Sequence, residues 1–452
     1  MKTILLEFLS LSKLPSKKSF MNTNEAPKTS GYNIFSDHNS TSQQGGVFEL
    51  VADYSPAGDQ PKVINEITQS LIDGNEEQTI LGVTGCGKTY IMANIINNLQ
   101  RPALVIAHNK TLAAQLAEEF KRFFPNNSVH YFVSYYDYYQ PESYIPKTDT
   151  FIEKQTQINE EIERLRNAST QALLTRSDVI IVSSVSCIYG LGNPEDYQSL
   201  KLQFLTGQNY NLSKLTRRLV DMQFNRTNMD LKRGLFRVRG EMLEIYPTNE
   251  ENIGVRLVFW GDLLEYIERF DILTNRGLGK LEGYTVFPAK QYVTTMEKIQ
   301  NAVGKIDDDL KIRLKELESE NKLLAAERLK QRTLNDTEML LEFGFCGGIE
   351  NYSSYFDGRV EGEPPSTLLD YFPDNCLTFV DESHITLPQI GAMYAGDRSR
   401  KTNLIEYGFR LPSALNNRPL RRHEFEQKVG QRIYVSATPG PYELGEVLPL
   451  KD

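Results

Sequence analysis

Two short stretches hold the residue types best suited to chemistry. The first, GVTGCGKT, runs from Gly82 through Val83, Thr84, Gly85, Cys86 and Gly87 to Lys88 and Thr89. Glycines let a backbone wrap a phosphate without Cβ clashes, and loop amides at a helix N-terminus offer it positive partial charge. The spacing is that of an ATP phosphate loop, in which Lys88 reaches the β- and γ-phosphates and the Thr89 hydroxyl holds Mg²⁺. An apolar TIL precedes it and a helical run, YIMANIINNL, follows, the strand–loop–helix order this chemistry needs. Cys86 is small and is expected to pack as a weak hydrophobe without blocking the loop. The second stretch, DESH at 381–384, ends the apolar run LTFV. Asp381 at a strand tip suits Mg²⁺ through water, and Glu382 suits activation of an attacking water. Taken alone, DESH also describes a solvated loop; the phosphate loop upstream supplies its catalytic reading.

Further stretches would complete a nucleotide site. IYVSATP, residues 433–439, puts Ser436 and Thr438 where a γ-phosphate sensor belongs, or is a strand followed by a proline turn. In FELVADYSPAGDQP, residues 48–61, the Gln60 amide can pair with both edges of adenine and Phe48 can stack on the base. Gln60 is equally well explained as a helix-start residue beside Pro61.

Nucleic-acid chemistry is suggested by SYYDYYQPESY, residues 134–144. Tyr135, Tyr136, Tyr138 and Tyr139 fall on both faces of any strand, so they cannot all point into one core. Aromatic stacking on bases is worth roughly 1–3 kcal/mol per base whatever the base. The stretch over 134–159 reads as a long hairpin carrying a tyrosine wedge. In AHNKTLAAQL, residues 107–116, the donors of Asn109, Lys110 and Thr111 suit phosphate oxygens.

The elements that must position these residues are dispersed. Phosphate loop and Asp381 lie too far apart for one compact motor domain, so segments are inserted between them. One is the tyrosine hairpin. A second spans about 195–290, where FRVRGEMLEIYP alternates like a hairpin and residues 201–239 hold nine Lys or Arg against two Asp. Such a basic patch touches nucleic acid, touches an acidic protein, or is simply solvated. A third is a helix over about 296–340, with Ile299, Val303, Ile306, Leu310, Leu314 and Leu317 on one apolar stripe.

With 452 residues, 40% hydrophobic and 24% charged, the chain has the composition of a soluble multidomain protein. A net charge of −9 gives no overall attraction to nucleic acid, so any such contact is local. The four cysteines form no CxxC pair, which argues against zinc and for a reducing, cytoplasmic setting. No run of eighteen apolar residues spans a membrane. Residues 1–44 lack periodicity and are expected to be a disordered tail, with Met21 an alternative start.

The order of phosphate loop, NKT, DESH and SATP resembles the first motor domain of superfamily 2 helicases. Adding YFVSYYDYYQPESYIP, DTFIEK, SSVSCIYGLG, GFCGGIENYS, DESHITLPQIG and YGFRLPSALNNRPL, the sequence resembles the UvrB family of the UvrABC excinuclease, which acts in nucleotide excision repair, over about 48–443. The resemblance implies an α/β fold: a RecA-like parallel-sheet motor with an inserted β-hairpin, an inserted mixed α+β domain and an inserted helical region. It places the motor at 45–133, 160–193 and about 378–452, the hairpin at 134–159, a UvrA-interaction domain at 194–294 and the helical insertion at 295–377. UvrB-like proteins receive damaged DNA from UvrA and push the hairpin between its strands. They use ATP with Mg²⁺ to verify a lesion and recruit UvrC, which cuts. By position, Tyr135, Tyr136, Tyr138, Tyr139 and Tyr144 would be the wedge. Arg226, Arg237, Arg239 and Arg256 would meet UvrA, which favours the acidic-partner reading of the basic patch.

Two positions depart from the family pattern. Cys86 stands where the family usually has Thr, and Val258 where it usually has an acid, which would weaken a UvrA contact. After YVSATPGPYE the sequence reads LGEVLPLKD, where the family continues into a second motor domain with arginine fingers and then a UvrC-contacting segment. Arginine fingers elsewhere are worth roughly 10³–10⁵ in rate, so the expectation is weak ATP binding and poor turnover by this chain alone. A non-enzymatic UvrA- and DNA-binding adaptor, or a general superfamily 2 helicase, are the alternatives.

Overall fold

The computed structural model describes residues 2–5, 46–134 and 136–445, with the backbone alone for 2–5, 136–139, 156 and 158. Most of the expected tail, 6–45, lies outside the described residues, as does Tyr135. Lys2–Leu5, expected to be disordered, instead forms a strand parallel to Glu77–Leu81.

A seven-stranded, wholly parallel sheet is the centre of the motor. Its order is Lys2–Leu5, Glu77–Leu81, Gln431–Ser436, Leu377–Asp381, Ala103–Ala107, Val179–Ser184 and Ser128–Phe132. Parallel strands covered on both faces must be apolar throughout. ALVIA at 103–107 and VIIVSS at 179–184 are accordingly buried at every position. Helices Gln60–Ile72, Lys88–Leu99 and Lys110–Phe123 cover the sheet, and the loops that lead into the last two leave strand C-termini. In open parallel sheets the ligand crevice forms outside those ends. No helix among the described residues is long and apolar enough to cross a membrane.

The insertions leave this sheet as separate elements. Tyr136–Gln140 pairs antiparallel with Gln155–Ile158, and Ser143–Ile145 with Thr150–Ile152, so a hairpin projects between the 128–132 strand and the helix Glu160–Thr175. A six-stranded sheet over 225–281 follows.

The third insertion differs from its expected form. It is two helices, Met296–Ser319 and Leu323–Phe343, not one. Asn321 between them takes a left-handed φ of 56°, which short polar side chains tolerate best and which ends the helical path. The predicted stripe still buries Ile299, Val303, Ile306, Leu310 and Leu317, now against Ala325, Ala326, Leu329 and Leu340 of the second helix.

Candidate functional site

The phosphate loop forms because Gly85 and Gly87 take φ of 84° and 81°, which side chains resist. Val83, Thr84 and Gly85 face solvent at its crest. Below it, the Gly82 amide donates to the Ser436 carbonyl at 3.1 Å, tying the loop to the neighbouring strand. Folding brings Lys88 to Glu382, 294 residues away, with Nζ 3.1 Å from Oε1. Lys88 also reaches the Gly82 carbonyl at 3.4 Å. The lysine ammonium is therefore paired with the Glu382 carboxylate across the fold.

Asp381 ends its strand 4% exposed. Burial, with Glu382 beside it, raises its carboxyl to about 6. Glu382 takes a left-handed φ of 43°, a conformation costly for a side chain and common at functional turns. Thr89 is the second residue of the helix behind the loop. A buried carboxylate with a hydroxyl as co-ligand is a hard oxygen set. It fits Mg²⁺, which keeps most of its waters and leans on substrate phosphates.

Three expected nucleotide contacts are used differently. Phe48 is 3% exposed, edge-on to Phe124 at 5.6 Å, so it is a core residue and does not present a face to adenine. Gln60 starts its helix, as the simpler reading had it, and its amide is already engaged. Nε2 donates to the Cys86 carbonyl at 2.8 Å and Oε1 accepts from the Ala57 amide at 3.1 Å. Gln60 thus braces the phosphate loop from behind. Ser436 is fully buried, sharing a hydrogen bond with His384 Nδ1 at 2.8 Å and accepting from the Thr438 amide at 3.0 Å. It links the two strand ends and does not face a phosphate; Thr438 does remain exposed. Cys86 is half-buried, with its thiol raised by burial.

Tyr54 was not anticipated. Its ring is 58% exposed and leans on Tyr90 at 4.8 Å, while the Tyr90 hydroxyl donates to the Tyr54 carbonyl at 2.7 Å. It is the exposed ring beside the loop, and its position six residues before Gln60 was the available signal.

At the neighbouring strand end, Asn109 caps the helix Lys110–Phe123 by accepting from the Leu112 amide at 2.8 Å. Its Oδ1 is therefore committed to the fold, although the residue is exposed; Thr111 beside it is exposed too, and Lys110 is half-buried.

The hairpin is fastened to the helical insertion and to the segment after it. Lys154 pairs with Glu350 at 2.9 Å. Glu142 accepts from Arg410 at 2.8 and 3.2 Å, and its backbone carbonyl accepts from Arg400 at 2.6 Å. Arg410 is also 3.5 Å from Asp336, which accepts from the Tyr352 hydroxyl at 2.8 Å. An aromatic contact joins these ionic ones: Phe151 stacks on Phe409 at 4.4 Å. Tyr144 belongs to this contact. It is 7% exposed, packs on Tyr407 and Phe409 and donates to Asp149 at 2.6 Å, so it anchors the hairpin and is no open stacking ring. Tyr136, Tyr138 and Tyr139 lie on the strand opposite Ile158, Gln157 and Thr156, with a register shift between Tyr136 and Tyr138. Glu142, Lys154, Glu350 and Arg410 lay unremarked within the family-like motifs; nothing local pairs them.

In the six-stranded sheet, Arg237, Glu244, Arg256, Glu268 and Lys280 are successive cross-strand partners. Glu244, 2% exposed, accepts from Arg237 at 2.5 Å and from Arg256 at 2.8 and 2.9 Å. Two of the four expected partner-binding arginines are thus partly committed to an internal pair. Arg239 is exposed at the end of its strand, whereas Arg226 pairs in register with the inward-facing Phe236 and stands apart from the ladder.

Comparison with known proteins agrees with this architecture. Residues 202–292 match the UvrB interaction domain, 297–358 the UvrB third helical domain, and 53–183 the type III restriction enzyme res subunit. The chain is 56% identical over 397 residues to UvrABC system protein B of Caldicellulosiruptor bescii, covering 88% of this chain and 60% of that protein. It is 55% identical over 399 residues to UvrABC system protein B of Clostridium perfringens, with the same coverage. The chain thus spans about 60% of the length of these curated relatives.

Proposed function

The chain belongs to the UvrB family, and from that premise we propose that it acts in nucleotide excision repair as the subunit that verifies damage. It takes DNA from UvrA, sets the tyrosine hairpin between the strands, and passes the site to UvrC for incision. The observation that carries this reading is the fastening of the hairpin, by two ionic contacts and an aromatic one, to the helical insertion and the segment after it. Such contacts hold a hairpin down yet let it lift, so a single strand can pass behind it while the tyrosines meet its bases.

The nucleotide chemistry is read from the same residues. An arriving γ-phosphate replaces Glu382 as the partner of Lys88. Thr89 and Asp381 would hold Mg²⁺, which neutralises charge across the β- and γ-phosphates. Glu382, once released, faces the attacking water and takes its proton. Thr438 is the exposed hydroxyl near the loop, and Tyr54 is the ring available to a base. Asn109 and Thr111, which are exposed, and the half-buried Lys110 contribute donors at the adjoining strand end for the DNA backbone.

The test uses DNA with one bulky adduct, UvrA and a fluorescent ATP analogue. Lys88→Ala is expected to abolish analogue binding. Tyr138→Ala with Tyr139→Ala is expected to abolish retention of the adducted DNA while analogue binding persists. Retention of adducted DNA by the double tyrosine variant at the unaltered level would sink the reading.

A further inference from the structure

The largest of the exposed apolar side chains on the interaction sheet is an indole. Trp260, the only tryptophan of the chain, is 75% exposed at the end of the strand Ile253–Trp260. It contributes nothing to the sheet's core, because its neighbours Phe259 and Leu264, at 2% and 0% exposure, point inward instead. Its cross-strand partner is Leu263, which is also exposed, so both stand on the outer face.

Along that face the next row is Arg239, Met242, Val258 and Tyr266, in register across four strands. Met242, Val258 and Tyr266 are half-buried, and the Lys280 ammonium lies 4.1 Å over the Tyr266 ring. The row after it is the Arg237–Glu244–Arg256–Glu268–Lys280 ladder, where cations outnumber carboxylates. Arg239 has no carboxylate partner among the described residues. The outer face is therefore an apolar strip ending in an exposed indole, with a cationic ladder along one side.

Resting on the proposal that this domain meets UvrA, we propose that Trp260, with Met242 and Tyr266 of the next row, is the energetic centre of that docking face. The arginines form its rim and orient the partner. The matching surface on UvrA is an apolar pocket flanked by carboxylates. Indole rings dominate interface energetics where they are fully desolvated, while exposed rim charges set association rate and salt dependence.

A single tryptophan makes the test direct. The chain is labelled with fluorotryptophan, gives one fluorine resonance, and is titrated with unlabelled UvrA of Clostridium perfringens. The resonance is expected to move on binding. Trp260→Ala is expected to weaken binding at least about tenfold, equally at about 0.1 M and about 1 M salt. Arg239→Ala is expected to weaken it at the lower salt only. The variant's melting curve controls for folding, which an exposed side chain should leave unchanged. If the unaltered chain binds with its resonance unmoved, or if Trp260→Ala, followed by titration calorimetry, binds within about twofold, the indole is no anchor, though the docking reading survives. If the unaltered chain does not bind, the docking reading falls and this inference with it.

Discussion

Glu244 is held by two guanidinium groups inside the outer ladder of the interaction sheet. Burial alone would raise its carboxyl, but hydrogen bonds from Arg237 and Arg256 outweigh burial and hold it below 4.5. A depressed carboxyl stabilises the fold above its unfolded pKa, and that contribution is lost as pH falls through the folded value. Glu244→Gln is therefore expected to cost about 3 kcal/mol at neutral pH, because it leaves two cations poorly paired. Thermal unfolding measured from pH 7 down to pH 3 should show the cost shrinking below about 4.5. A cost independent of pH would mean that shape, not charge, is what Glu244 supplies. The Lys88–Glu382 pair makes a second prediction at this scale. Glu382 competes with phosphate for the lysine, so Glu382→Gln should tighten ATP binding by about two- to fivefold, the worth of a partly exposed pair. Titration calorimetry checks it, and weaker binding would mean that Glu382 holds the loop in shape.

Among the elements, the hairpin is tied down by attachments of unequal strength. Lys154 and Glu350 are each about one-third exposed, so Lys154→Ala should cost under about 1 kcal/mol. Arg410 is 4% exposed and serves both Glu142 and Asp336, so Arg410→Ala leaves buried carboxylates unpaired and should cost about 3–5 kcal/mol. Chemical denaturation of the two variants checks the ordering. Limited proteolysis should cut the hairpin faster in both. Similar costs for the two would show that the aromatic contact of Phe151 on Phe409, not the charges, holds the hairpin.

Across the whole molecule, the helix Glu160–Thr175 leads from the hairpin back into the parallel sheet, and its N-terminal end touches the interaction domain. Arg164 on it is 1% exposed, bound to Glu161 at 2.6 Å and to the Asn249 carbonyl at 3.2 Å. Arg233 reaches from the interaction domain to Glu161 at 3.1 Å. Where the chain enters the interaction domain, a Cβ at Gly192 would collide with the Gln291 carbonyl. Gly192→Ala is expected to separate the domains and lower stability by about 2 kcal/mol or more. A differential scanning trace should then resolve two transitions where the unaltered chain shows one; a single unshifted transition would show that the contact yields.

Local chemistry was legible in the sequence where a short stretch carries its own geometry. The glycines of 82–89 dictate a loop because only they accept its dihedrals, and apolar runs before Asp381 and Ser436 dictate buried strands. The amphipathic stripe over 299–317 was equally legible, since periodicity depends on neighbours a turn away. Partners distant in the chain were not. Lys88 meets Glu382 only because a parallel sheet brings its strand ends to one edge, and Glu142 meets Arg410 and Lys154 meets Glu350 only because the hairpin folds against the helical insertion and the segment after it. The same holds for the residues that proved structural. Phe48, Tyr144, Ser436 and the Gln60 amide carry the side chains that binding would need, but burial and hydrogen bonding take them for the fold. Residue type states what a side chain can do; tertiary packing decides whether it is free to do it.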